Sequence, residues 1–95
     1  MPIRNVTFQV NNFYHIYNRG NNRQKIFFER DNYLYFLSKL REYLVSNTVE
    51  ITAYCLMPNH YHLLIYLNNN NFSELMQKLA LSYTKAINKR YKRVG

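Results

Sequence analysis

Residues 49–67 read VEITAYCLMPNHYHLLIYL, and how this stretch folds governs the rest of the chain. Two runs, 49–57 and 60–67, are rich in β-branched and aromatic residues, and Pro58-Asn59 separates them. Their mixture of alternating and continuous apolar character predicts two strands in a sheet with at least one well-covered face. Pro58 has no N–H to give to a ladder, so a strand edge or bend is expected there. Side chains alternate along a strand, which sends His60 and His62 to one face and Tyr61 to the other. Cys55, inside the apolar run ITAYCLM, reads as a buried small apolar residue. It is the only cysteine, which leaves no intrachain disulfide and no cysteine-based zinc site.

Upstream of this stretch the period changes. Over residues 30–47, Tyr33, Leu37, Leu40 and Leu44 recur at spacings of four, three and four, which places them on one helical face. Asp31 is a candidate cap or first-turn acid, and Ser46-Asn47 can end the helix. Residues 13–17 (FYHIY) predict a strand that stops at the turn-rich cluster Asn18-Arg19-Gly20-Asn21-Asn22. Residues 23–28 are ambiguous and can continue as a short extended segment. Downstream, 68–71 is a polar loop in which an asparagine, or Ser73 just beyond it, caps a second helix over about 72–91. Its apolar stripe is Phe72, Leu75, Leu79, Tyr83 and Ala86 or Ile87. The order strand, helix, strand, strand, helix predicts an α+β fold, most of a ferredoxin-like βαββαβ antiparallel sheet. The last strand is not visible in the sequence.

Ninety-five residues suit one small domain with a single modest core. The chain is 47% hydrophobic and 17% aromatic, which argues against disorder, because a disordered chain lacks the apolar surface that offsets ordering entropy. Thirteen Lys and Arg against five Asp and Glu give a net charge of +8. That excess favours polyanionic partners through steering and counterion release. A membrane surface is the rival polyanion, but no apolar run approaches the ~20 residues of a spanning helix. The start, MPIRNVTFQVNN, is too polar for a signal peptide's apolar region. A cytosolic nucleic-acid binder is the simplest reading.

The chemistry concentrates at Met57-Pro58-Asn59-His60-Tyr61-His62. Alternate Cα atoms of a strand lie about 6.5–7 Å apart, and two imidazoles can lean across that gap onto one ion. Neutral imidazole is a common ligand of divalent metals. Two histidines leave several coordination positions open, as catalysis requires and a structural site does not. Taken alone, His-x-His is more often a pair of half-buried strand histidines hydrogen-bonded to their neighbours.

The chain as a whole resembles the single-tyrosine HUH transposases, the REP-associated and IS200-like kind. The resemblance covers nearly the whole length, from Tyr14-His15-Ile16-Tyr17-Asn18-Arg19-Gly20-Asn21-Asn22-Arg23, through Met57-Pro58-Asn59-His60-Tyr61-His62, to Ser82-Tyr83-Thr84. Tyr61 stands where smaller aliphatic residues are common. The resemblance implies a ferredoxin-like sheet, a homodimer in the bacterial cytoplasm, and cleavage of single-stranded DNA beside a hairpin. It implies that His60 and His62 hold Mg²⁺ or Mn²⁺ at the scissile phosphate. A tyrosine then forms a covalent 5′-phosphotyrosyl intermediate that a free 3′-hydroxyl reverses, with the metal as Lewis acid and template.

In that family the nucleophilic tyrosine lies on a helix well beyond the histidines, and only thirty-three residues follow His62. The tyrosine helix, and the polar residue near it that completes the metal site, are therefore expected to be absent from this sequence, through truncation or gene decay. The chain alone is then not expected to form a covalent DNA adduct. Tyr83 is the tempting substitute, but the helix periodicity turns it toward the core.

His15, on the first strand, is expected to be structural or DNA-facing more than metal-ligating. Arg19, Arg23 and Lys25 gather around the turn after that strand, where they either grip phosphate or line a solvated loop. Lys78, Lys85, Lys89 and Lys92 form a stripe on the second helix with no acid after Glu74, a candidate DNA surface. Tyrosines offer stacking surfaces for unpaired bases. Three readings stay open: a metal-dependent DNA transposase or endonuclease domain, a non-catalytic ferredoxin-like binder of single-stranded DNA, and, more weakly, a metal phosphoesterase that uses water instead of tyrosine. A strand edge and an uncovered apolar strip left by a missing strand also favour oligomerisation.

Overall fold

The computed structural model describes residues 9–20, 24–68 and 71–93. Its elements run β1 (Phe13–Arg19), α1 (Arg30–Tyr43), a single 3₁₀ turn (Val45–Asn47), β2 (Val49–Met57), β3 (His60–Leu67) and α2 (Phe72–Arg90). The strands form one sheet in the order β1-β3-β2, and both pairings are antiparallel. Three antiparallel strands and two helices in this order make an α+β fold of the ferredoxin-like pattern, and the described residues contain no fourth strand.

β3 lies in the middle and carries the whole arrangement by alternation. Tyr61, Leu63, Ile65 and Leu67 are fully buried, while the residues between them are partly or largely exposed. Both helices pack on the buried side. Phe36 of α1 meets the Tyr61 ring at 4.9 Å and the Tyr83 ring of α2 at 5.2 Å, so one aromatic cluster joins sheet, first helix and second helix. Phe72, Leu75, Met76, Leu79, Ala80, Tyr83 and Ile87 form the buried face of α2, wider than the predicted stripe and including Ile87, while Ala86 is only half-buried.

Several local expectations need correction. The core stripe of α1 is Phe36 and Leu40 with Leu44 just beyond, while Tyr33 and Leu37 are only partly buried against it. The stripe is turned toward Phe36 because that ring fills the space between Tyr61 and Tyr83. α1 ends at Tyr43, and Ser46 and Asn47 close it from the 3₁₀ turn: their side chains donate to the carbonyls of Arg41 and Tyr43. Asp31 is the first-turn acid, but the N-cap is Glu29. The polar work there falls to buried Asn32, whose Oδ1 accepts from the N–H groups of Phe28 and Glu29. Residues 24–28 are loop, not strand, yet Ile26 and Phe27 are core residues.

Cys55 is exposed, against the expectation of burial. Its cross-strand partner is His62, so the two side chains share the sheet face that no helix covers. An apolar neighbourhood in sequence does not say which face a residue takes when β2 is an edge strand. Burial thins along β2 after the register shift between Ile51 and Ala53.

Candidate metal and DNA site

The uncovered face of the sheet presents its side chains in rows set by the strand register. One row holds Phe13 and Tyr66, the next His15, Leu64 and Ala53, then Tyr17, His62 and Cys55, and last Arg19, His60 and Met57. His60 and His62 therefore lie side by side, with ring centroids 5.3 Å apart and ring planes almost perpendicular, 88°. The Tyr17 ring touches both, edge-on to His62 at 4.8 Å and near His60 at 5.8 Å. Arg19 donates from Nε to the Tyr17 hydroxyl at 2.9 Å.

The start of β3 is fixed from below and from the side. The Pro58 carbonyl accepts from the N–H groups of Ile26 and Phe27, and the Asn59 carbonyl from that of Gly20. Gly20 is required by space: a Cβ there would run into the backbone carbonyl of Gln24. On the covered face Asn18 donates to the Tyr61 hydroxyl at 3.1 Å. The tight turn between β2 and β3 thus delivers His60 from a braced backbone.

Each histidine of the pair has Nδ1 engaged. His60 Nδ1 is 2.8 Å from Asn59 Oδ1, and His62 Nδ1 is 2.8 Å from His15 Nε2. Because an amide oxygen can only accept, His60 Nδ1 carries a proton, and in the neutral ring Nε2 then holds the lone pair. Partial burial, followed by the neighbouring His15 and His60, holds the His62 imidazole below its ordinary pKa, which favours the neutral ring that a metal needs. Among the described residues no group of three or more His, Cys, Asp or Glu is arranged to hold a metal ion. The chemistry of two neighbouring imidazoles fits a divalent ion that would take its remaining ligands from phosphate and water.

The model of the family described as "Transposase IS200 like" matches residues 8–95. The chain belongs to that family. No curated protein and no solved structure matches it. An IS200-like transposase carries out a transposase-type function with DNA as its partner, and no helix among the described residues is long and apolar enough to cross a membrane.

Within this IS200-like transposase the residues singled out from sequence fall into separate places. His60, His62 and Arg19 share the open sheet face. Lys25 is exposed in the loop beside it, and Arg23 lies outside the described residues. Lys78, Lys85, Lys89 and Lys92 are exposed, and the first three project from the side of α2 opposite its buried stripe, in the helical layer away from the histidines. Lys78 pairs with Glu74 at 3.4 Å. Both are exposed, so the pair contributes only about 0.3–0.5 kcal/mol. Tyr83 is in the core, its hydroxyl donating to the Ile26 carbonyl at 2.8 Å, and burial raises its pKa. Tyr61 is likewise enclosed, pushed up to about 12. The exposed tyrosine beside the histidines is Tyr17.

Sequence reasoning did not assign Asn59 or Tyr17 to this site, and it took His15 as structural or DNA-facing without placing it against His62. Asn59 was legible, being adjacent to His60. Tyr17 and the His15 contact were not, because they depend on the register between strands far apart in the chain.

Proposed function

We propose that this chain supplies the metal-binding and DNA-contacting domain of a single-tyrosine transposase that cuts and rejoins single-stranded or hairpin DNA in the bacterial cytoplasm. The observation that carries the reading is the pair His60 and His62, side by side on an open sheet face with both Nδ1 atoms engaged. Nε2 of His60, and Nε2 of His62 when that ring donates from Nδ1, then remain to hold Mg²⁺ or Mn²⁺. A bound ion of that kind supplies Lewis acidity at a phosphate oxygen.

The residues around the pair fit a strand of unpaired DNA. Tyr17 offers a ring for a base, and Phe13, 61% exposed and packed on Tyr66 at 4.9 Å, offers a second stacking surface two rows away. Arg19, at the end of the same row as His60, supplies the charge for a phosphate. Lys78, Lys85 and Lys89 lie on the other layer, so in this reading they hold flanking DNA and not the reacting strand, with Lys25 and Arg23 as further phosphate contacts. The edges of β1 and β2, to which no further strand pairs among the described residues, favour a homodimer.

A non-catalytic binder of single-stranded DNA with the same surface remains the second reading, and the buried state of Tyr83 favours it for any reaction that would need that residue as nucleophile. Thermal denaturation with and without Mn²⁺ tests the first. At a hundredfold excess over Kd the metal adds about 2.7 kcal/mol, a rise of several degrees for the wild-type chain. The double variant His60→Ala with His62→Ala is expected to show no rise. An equal rise in both proteins overturns the metal reading.

A further inference from the structure

Beyond the two histidines of the motif, the sheet brings a third against them. His15 Nε2 and His62 Nδ1 are 2.8 Å apart. The two ring planes differ by only 7°, and the centroids are 5.0 Å apart. The nitrogens are closer than the centroids by about the two ring radii, so the rings meet edge to edge in one plane. That is the geometry of a linear N–H···N hydrogen bond, not of face-to-face stacking. Such a bond needs one proton between the two nitrogens, and the donor decides the tautomer of His62.

If His62 donates from Nδ1, its Nε2 is left with a lone pair, matching the state that Asn59 imposes on His60. If His15 donates, the His62 proton sits on Nε2 and the ring cannot ligate through it. Only the first arrangement leaves both motif histidines with the same free nitrogen on one face. It also leaves His15 with its proton on Nδ1 and its Nε2 lone pair spent on His62, so His15 itself is no ligand through that atom. The bond is built into the register: β1 and β3 pair Tyr17 with His62 and His15 with Leu64, a diagonal placement on one face that lets long side chains reach each other.

We infer that His15 is a positioning residue for the metal site, accepting the Nδ1 proton of His62 and so fixing that ring's orientation and its Nε2 lone pair. Partners of this kind orient metal-ligating imidazoles, and their loss typically lowers metal affinity about 10–100-fold. This rests on the reading of His60 and His62 as a metal pair, and the experiment separates the two. Two measurements decide it on the full chain. The first is ¹⁵N NMR of the metal-free protein, which reports the His62 tautomer without any metal. The wild type is expected in the Nδ1–H form, and His15→Ala is expected to show a tautomer mixture.

The second is Mn²⁺ titration of wild type, His15→Ala and His15→Gln. Affinity is expected to fall about 10–100-fold in His15→Ala and to recover in large part in His15→Gln, whose amide oxygen accepts the same proton. Equal thermal midpoints of the metal-free proteins show that the fold is unchanged. If they differ, the NMR tautomer of the folded fraction decides. A wild-type chain that binds no Mn²⁺ removes the metal pair while leaving the tautomer result standing. His15→Ala with unchanged affinity and an unchanged His62 tautomer overturns the positioning role. Equal loss in the alanine and glutamine variants overturns it too, and points to His15 as a direct ligand.

Discussion

β3 has two faces with opposite duties. Tyr61, Leu63, Ile65 and Leu67 go into the core without exception, while His60, His62, Leu64 and Tyr66 lie on a face that no helix covers. The two sets interleave residue by residue, so neighbours in sequence belong to different problems. One face is filled by Phe36, Tyr83 and the α2 stripe, where side chains are chosen for volume. The other carries His15, Tyr17, His60, His62 and Arg19 among smaller or aliphatic neighbours such as Leu64 and Cys55, so it presents lone pairs, charge and ring faces that no helix covers. A strand in the centre of a sheet can do both because its backbone is fully paired on either side and tolerates an uncovered face.

The largest effect that follows is on stability. Leu63→Ala deletes buried methyl groups beneath two helices and is expected to cost about 2–5 kcal/mol. Leu64→Ala, one residue on and 37% exposed, is expected within about 0.5 kcal/mol of wild type. Urea unfolding of the two variants measures the contrast. Similar losses in both mean that the open face is covered in solution.

A second test compares the open face with the helical layer. Affinity for single-stranded DNA is expected to fall steeply with salt, with a slope near 0.7 for each phosphate neutralised. For an oligonucleotide only a few nucleotides long, Arg19→Glu is expected to weaken binding several-fold, and Lys85→Glu with Lys89→Glu to change it little. For a long hairpin substrate both substitutions are expected to weaken it. Fluorescence anisotropy at low salt reads this directly. Should the lysine variant alone weaken the short oligonucleotide, the reacting strand lies on α2 and not on the sheet.

The smallest effect concerns Tyr83. Tyr83→Phe removes the hydrogen bond to the Ile26 carbonyl and is expected to cost about 0.5–1.5 kcal/mol. It leaves DNA affinity unchanged. If Mn²⁺ and labelled hairpin DNA yield any covalent adduct on a denaturing gel, that band is expected to survive Tyr83→Phe. Its disappearance would make Tyr83 the nucleophile despite its burial.

What is local could be read from the order of residues alone. Period two over 60–67 placed His60 and His62 on one face and Tyr61 on the other, because successive side chains of an extended backbone must point to opposite sides. Period three to four placed Tyr83 toward the core for the corresponding reason in a helix. The strand, helix, strand, strand, helix order gave the α+β architecture, and the histidine motif with its Asn-Arg-Gly segment gave the family. Tertiary structure decided everything that needs two distant segments in register. It turned Cys55 to the open face, swung the α1 stripe to Phe36, and sent the helix lysines to the layer opposite the histidines. It also set His15 against His62 across forty-seven residues of chain. Periodicity says which residues share a side, but only the packing of one element on another says which side is covered and what lies next to it.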